Sequence, residues 1–177
     1  MSGPSISANS LWISVNGFGR IGRSVVRQAL ERGERIVSIN DPTMTAEDIA
    51  YALRYDSVHG PFLADIKISP DEKNMYVKVA NNSDAMPAMI ALFHERSPDN
   101  IPYQDVGTDI VIEASGTCKT IEDAKKHKFV KKVLISGPPK DDRIKMFVPG
   151  VSIEDYVSDT TVVSMASCTT NCLAPIS

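Results

Sequence analysis

Three features of this 177-residue sequence can do chemistry. The first is Asn16-Gly17-Phe18-Gly19-Arg20-Ile21-Gly22, a G-x-G-x-x-G run between an apolar segment and a helical pattern. Gly17 permits a tight turn, and Gly19 lets backbone approach a pyrophosphate with no side chain in the way. Gly22 lets the helix lie close to the strand, so that the first helical N–H groups face the phosphates. Three glycines also make ordinary turns, and the run alone is a weak signal. The second feature strengthens it. Asp41 ends the next apolar run, nineteen residues beyond Gly22, where a carboxylate hydrogen-bonds the 2′-hydroxyl of an adenosine ribose. Read the other way, Asp41-Pro42 is only a turn after a strand. A carboxylate at this point repels a 2′-phosphate, so the pair of features favours NAD over NADP.

The third feature is Cys168, which follows the apolar run Thr161–Ser164 and opens a helical segment, Ser167 to Ala174. The positive end of a helix lowers a thiol pKa from about 8.5 toward neutrality and favours the nucleophilic thiolate. Cys172 stands one turn on, but two sulfurs without a further Cys or His pair at ligand spacing make no zinc site. Beside Leu173, Cys172 reads as a small buried hydrophobe, and Cys118, after Gly116-Thr117, as a packing residue. A thiol nucleophile needs a base or an ion-pair partner. The sequence offers His59 in a loop, His94 at a strand end and His127 in a lysine-rich helix (Lys119, Lys125, Lys126, Lys128, Lys131, Lys132) expected to face solvent. None stands out as a partner, and local context leaves Cys168 open between nucleophile and packing thiol.

These residues need a scaffold, and the pattern of apolar runs supplies one. Leu11–Val15 reads as a buried strand, Arg20–Arg32 as a helix with Ile21, Val25 and Leu30 on an apolar stripe, and Gly33 as its stop. Ile36–Ile39 is the next strand. Thr45 with Asp48 three residues on has the capping-box form and opens a helix that runs through Tyr55. Alternating residues from Phe62 to Val79 around Ser69–Asn74 predict a hairpin. Ala88–His94, Asp109–Ala114, Val133–Ser136 and Thr161–Ser164 predict further strands, with a helix at Ile121–His127. Strand–helix alternation at this spacing predicts an α/β fold with a doubly wound, mostly parallel sheet.

Composition narrows the class. With 42% hydrophobic and 23% charged residues and a net charge of −3, the chain is an ordinary globular protein, which excludes disordered, collagenous and coiled-coil readings. A mildly acidic balance gives no reason to expect nucleic acid as the main partner. No apolar run approaches the ~20 residues of a membrane span. Met1–Ser10 has neither basic residues nor an apolar stretch and reads as a flexible leader, not a signal peptide. Three cysteines, an odd number, point to free thiols in a reducing compartment. A helix that starts so near Ser177 reads as an interrupted element, which suggests truncation.

Beyond these local readings, a set of motifs in order resembles phosphorylating, NAD-dependent glyceraldehyde-3-phosphate dehydrogenase. They are Asn16–Arg23, Asn40-Asp41-Pro42, Tyr55–Gly60, Glu95–Pro98, Asn100-Ile101-Pro102 and, most specifically, Ala166-Ser167-Cys168-Thr169-Thr170-Asn171-Cys172-Leu173-Ala174-Pro175. The resemblance implies a Rossmann-type NAD-binding domain over residues 11–166 and the start of a catalytic domain over 167–177. It also implies roles. Arg20 and Ile21 would offer N–H groups to the pyrophosphate, and Asp41 would hold the adenosine ribose. Arg96 would lie near the adenine, and Ser115 and Ser136 would line the cofactor groove. Cys168 would attack the aldehyde, with Ser167 and Thr169 beside the substrate or phosphate. The thiohemiacetal would then pass a hydride to NAD, leaving a thioester that inorganic phosphate cleaves, a glycolytic oxidation. The family's base, phosphate-binding residues and C-terminal helix would all fall beyond Ser177, so this chain alone is expected to be inactive. The intact protein would be a cytoplasmic homotetramer. A non-catalytic NAD-binding module and a relative acting on erythrose 4-phosphate are the alternatives.

Overall fold

The structure, a computed structural model, describes residues 11–80 and 86–177; the expected leader, residues 1–10, lies outside them. One nine-stranded sheet organises the chain. Its strands are β1 (Trp12–Asn16), β2 (Arg35–Asn40), β3 (Ala64–Ile68), β4 (Asn74–Val79), β5 (Ala88–Phe93), β6 (Ile110–Glu113), β7 (Lys132–Ile135), β8 (Lys145–Met146) and β9 (Val162–Ser164), in the order β3-β4-β5-β2-β1-β6-β7-β9-β8. From β5 to β8 every pairing is parallel, while β3 and β4 form an antiparallel hairpin on the β5 edge. With the hairpin and the short β8 set aside, the parallel strands read 3-2-1-4-5-6 in chain order, the order of a dinucleotide-binding fold.

Helix α1 (Arg20–Glu31) follows β1 and α2 (Ala46–Arg54) follows β2. Val26 and Leu30 from α1 and Ile49 and Leu53 from α2 join Val15, Ile36 and Ile39 of the sheet in one buried cluster. Full burial of each such side chain stabilises the fold by about 1.5–3 kcal/mol. The ends of the helices are set by sequence. Gly33, at φ +76°, turns the chain after α1, as glycine does past a helix end. Thr45 and Asp48 cap α2 reciprocally, with both halves of the box formed. A second cluster of Cys118, Ala124, Val133, Ile135 and Ile144 sits beneath α3 (Ile121–Ala124).

Four expectations need correction. The helix expected over Ile121–His127 is a single turn, closed at Lys125, so its periodicity does not continue to His127. That residue is buried at 4% exposure, not solvent-facing. Ile21 does not join the apolar stripe but is exposed, because it lies on the first turn of α1, at the edge of the sheet. Cys172 is exposed as well, since no residue of α4 (Cys168–Leu173) is buried. Lys125, Lys126, Lys128 and Lys131 do face outward, and three of them are balanced, Lys126 by Asp123, Lys128 by Asp99 and Lys131 by Asp109, whereas Lys119 and Lys132 are half-buried. Among the described residues no helix is long and apolar enough to cross a membrane.

Candidate functional site

Parallel strands deliver the segments that follow them to one edge of the sheet. Across that edge, in strand order, come Arg96 after β5, Asp41 after β2, Gly17–Gly22 after β1, Ser115 after β6, Ser136 after β7 and Cys168 after β9. At about 4.8 Å per strand, the edge spans about 19 Å from the end of β2 to the end of β9. That matches an extended dinucleotide laid across the sheet, with the thiol at the far end from Asp41.

The three glycines differ in the space around them. Gly17 has φ +91°, and a Cβ there would meet Ser115 N at 2.5 Å. A Cβ at Gly22 would stand 1.9 Å from the Gly17 carbonyl oxygen, so α1 packs against the turn with no room to spare. Gly19 differs: nothing lies within 4 Å of its missing side chain. It opens the mouth of α1, where no side chain caps the helix and the first turn holds no acid. The leading N–H groups of α1, including those of Arg20 and Ile21, therefore have no partner within the helix, the arrangement that receives phosphates.

Asp41 is tied into this turn. Its Oδ2 accepts the Phe18 N–H at 2.9 Å, and its Oδ1 accepts the N–H and hydroxyl of Thr43 at 2.9 and 2.7 Å. Partial burial works against the charged form, but these donors outweigh it and hold the carboxyl below its ordinary value. Oδ2 keeps an acceptor position free for a hydroxyl. Arg96 is exposed beyond β5. Ser115 is exposed at the turn after β6, and Ser136, half-buried, donates its N–H to the Glu113 carbonyl.

Beneath the cradle runs a buried polar chain that sequence reasoning missed. Asn40 joins the β5 end through the backbone of Glu95 and donates to Asn16 Oδ1 at 2.7 Å; Asn16 donates to Glu113 Oε2 at 2.6 Å. Glu113 meets His127 Nε2 at 2.9 Å, and His127 Nδ1 meets the Tyr103 hydroxyl at 2.8 Å. The available signal was that strand-end Asn16, Asn40 and Glu113 interrupt apolar runs, which requires polar partners once they are buried.

The thiol segment is held just as firmly. Ala166 has φ +58° and is buried, a conformation that costs an L-residue roughly 1–2 kcal/mol. Its N–H donates to Ser164 Oγ, which donates to the Gly137 carbonyl at 2.8 Å. Asn171 Nδ2 reaches back to the carbonyls of Met165 at 2.7 Å and Ser167 at 2.9 Å. Ser167 caps α4 by accepting the Thr170 N–H. Cys168 is the first residue of α4 and exposed, with Thr169 Oγ1 at 3.9 Å from Sγ. None of His59, His94 or His127 hydrogen-bonds it among the described residues. His59 bonds Asp56, and His94 lies 3.2 Å from the Asp41 carbonyl. Cys118 is buried as expected, and burial, reinforced by the Glu113 charge, pushes its thiol up to about 12.

Comparison with known proteins agrees with this geometry. The model of the family described as glyceraldehyde 3-phosphate dehydrogenase, NAD binding domain, matches residues 11–121. The glyceraldehyde-3-phosphate dehydrogenase of Coccidioides immitis is 46% identical over 167 residues, covering 93% of this chain and 46% of that protein. The Cochliobolus lunatus enzyme is 43% identical, and glyceraldehyde-3-phosphate dehydrogenase 2 of Saccharomyces cerevisiae 42%, over the same share of this chain. The chain thus spans about half the length of the curated relatives it matches. With an uncapped helix mouth, an open Gly19 and an ionised Asp41 on one sheet edge, this chain belongs to the glyceraldehyde-3-phosphate dehydrogenase family and carries its NAD-binding domain.

Proposed function

We propose that this chain provides the cofactor cradle and the attacking thiol of an NAD-dependent phosphorylating glyceraldehyde-3-phosphate dehydrogenase. The observation that carries the reading is the shared sheet edge, where Cys168 follows β9 while the glycine turn follows β1. Gly17, Gly19, Arg20, Ile21 and Gly22 would hold the pyrophosphate, Asp41 the adenosine ribose, Arg96 the adenine side, and Ser115 and Ser136 the groove toward the thiol. NAD, when bound there, supplies the hydride acceptor. Cys168 Sγ adds to the aldehyde carbon of a small phosphorylated substrate and holds it as a thiohemiacetal. After oxidation, the same sulfur carries an acyl group as a thioester, and inorganic phosphate attacks that carbon. The acyl phosphate leaves and the thiolate returns. Ser167 and Thr169 flank the sulfur, and Thr169 has the freer hydroxyl, since that of Ser167 already caps α4. Residues 167–177 belong, in this reading, to the catalytic part of a cytoplasmic homo-oligomer.

Two measurements test it. Iodoacetamide labelling with peptide mapping is expected to modify Cys168 ahead of Cys172 and to spare Cys118. In the full-length protein, Cys168→Ser is expected to abolish NAD reduction with glyceraldehyde 3-phosphate and phosphate. Retained turnover in that variant would overturn the assignment, and faster turnover with erythrose 4-phosphate would move the substrate.

A further inference from the structure

Glu113 ends β6 with its side chain 1% exposed, and four donors converge on its carboxylate. Oε1 accepts the N–H of Ser115 at 2.7 Å and the Ser115 hydroxyl; Oε2 accepts Asn16 Nδ2 at 2.6 Å and pairs with His127 Nε2 at 2.9 Å. Two of these donors belong to opposite walls of the cofactor cradle. Asn16 immediately precedes Gly17, and Ser115 N is the atom that a Cβ on Gly17 would strike. One carboxylate therefore sets the spacing between the turn after β1 and the turn after β6. Burial disfavours its charge, yet the donors from His127, Ser115 and Asn16 outweigh burial and keep it ionised.

His127 does not reach the cradle. It lies beyond α3 with a fully buried ring, braced on its far side by Tyr103. Among the described residues, its side chain is linked to the cofactor edge through Glu113. The adenosine end keeps anchors that do not pass through Glu113, Thr43 on Asp41 and Asn40 on the Glu95 backbone, although Asn40 also donates to Asn16. Cys118 also lies close, so that Glu113, Cys118 and His127 offer ligand atoms within 4.8 Å of one another. The polar atoms of Glu113 and His127 are, however, already matched by protein donors and acceptors, as in a hydrogen-bonded brace.

We propose that Glu113 and His127 are positioning residues for the pyrophosphate and nicotinamide half of NAD: Glu113 fixes the gap between the two turns, and His127 fixes Glu113. The proposal rests on the NAD-binding reading above and adds residues that the glycine motif does not contain. Its effect falls on one half of the cofactor. Loss of the brace weakens NAD, which crosses the gap, and spares AMP, which stops at the Asp41 side.

Calorimetric titration of the full chain with NAD and with AMP tests this, in wild type, His127→Ala, His127→Gln and Glu113→Gln. Glutamine at 127 can replace the Nε2 donor, so it serves as the rescue. His127→Ala is expected to lower NAD affinity about tenfold, the size of one charge-assisted hydrogen bond, with AMP affinity within about twofold. His127→Gln restores NAD binding, and Glu113→Gln loses at least as much as His127→Ala. Circular dichroism establishes folding, and the His127 pair carries the test if Glu113→Gln does not fold. Unchanged NAD affinity in His127→Ala, equal losses for NAD and AMP, or failure of glutamine to rescue would each overturn the proposal. So would loss of NAD affinity on treating wild type with a chelator, which would mark a metal site instead. If wild type binds AMP but not NAD, the cofactor reading itself falls, and this proposal with it.

Discussion

Two alanine substitutions three residues apart separate space kept for packing from space kept for a ligand. At Gly22, a new Cβ would sit 1.9 Å from the Gly17 carbonyl oxygen and 3.2 Å from Val15 Cγ1. Real Cβ contacts stay beyond 3.0 Å, so α1 must withdraw from the turn by about 1.1 Å in an interior with no slack. Overpacking of this kind costs about 1–3 kcal/mol, and alanine returns about 1 kcal/mol of helix propensity. The net loss is up to about 2 kcal/mol, or up to about 8 °C in Tm for a chain of this size. Cofactor binding falls with it, because the phosphate-facing N–H groups move with the helix. At Gly19 the same methyl meets nothing within 4 Å, and the backbone, at φ −70° and ψ −163°, suits alanine. There the loss at the N-cap and the gain from a stiffer unfolded chain offset each other to within about 0.5 kcal/mol. Gly19→Ala is therefore expected to melt like wild type yet to bind NAD at least about tenfold more weakly. Thermal melting by circular dichroism and NAD titration on the same samples read both effects. Wild-type NAD affinity in Gly19→Ala would refute the idea that the open space belongs to a diphosphate. A Gly22→Ala protein more stable than wild type, or one that binds NAD as tightly as wild type, would refute the packing argument.

Asp41→Asn removes the charge and at least one of the three accepted hydrogen bonds; the ratio of NADP to NAD affinity is expected to rise at least about tenfold, read by parallel titrations. At Ala166, glycine relieves the left-handed strain and costs chain entropy, so Ala166→Gly is expected to stay within about 1 kcal/mol of wild type in urea melts. Ala166→Val places a β-branched side chain at positive φ in a buried site and is expected to lose more than about 2 kcal/mol and to slow Cys168 alkylation. Asp56, fed by the N–H groups of His59 and Val58, is held down from 3.8 to about 2. A carboxyl whose folded value is depressed adds stability above its unfolded value, and that stability is lost as pH falls through the folded value. Urea melts are expected to weaken between pH about 4 and 2, and Asp56→Asn to be less stable at neutral pH with a shallower acid slope. An unchanged slope would remove Asp56 from the acid transition.

The parts legible in sequence were those where a local rule has one physical outcome. Gly17 and Gly22 stand where no side chain fits, Thr45 and Asp48 cap a helix within four residues, and the alternation of apolar runs with helical patterns fixed the parallel sheet. Strand limits came within a residue or two, though the two-residue β8 has too little pattern to read. What failed depends on distant neighbours. His127 follows a run of lysines that suggests solvent, but a one-turn α3 folds it under the sheet toward Glu113, fourteen residues away. The Glu113 hub itself joins residues up to 97 positions apart, and no periodicity encodes such a meeting. Cys172 is exposed where a buried side chain is expected, because helical spacing assigns a face without saying what, if anything, covers it. Cys168 shows the opposite limit: its local context was ambiguous, and the surrounding motif, not the periodicity, pointed to chemistry.

The most direct test is a crystal structure of the chain with oxidised NAD. The diphosphate is expected against the N–H groups that open α1 at Gly19, with the adenosine ribose on Asp41 and the nicotinamide turned toward Cys168. Cofactor seated at the opposite edge of the sheet, or lying across this edge with its nicotinamide on the Asp41 side, would contradict this placement.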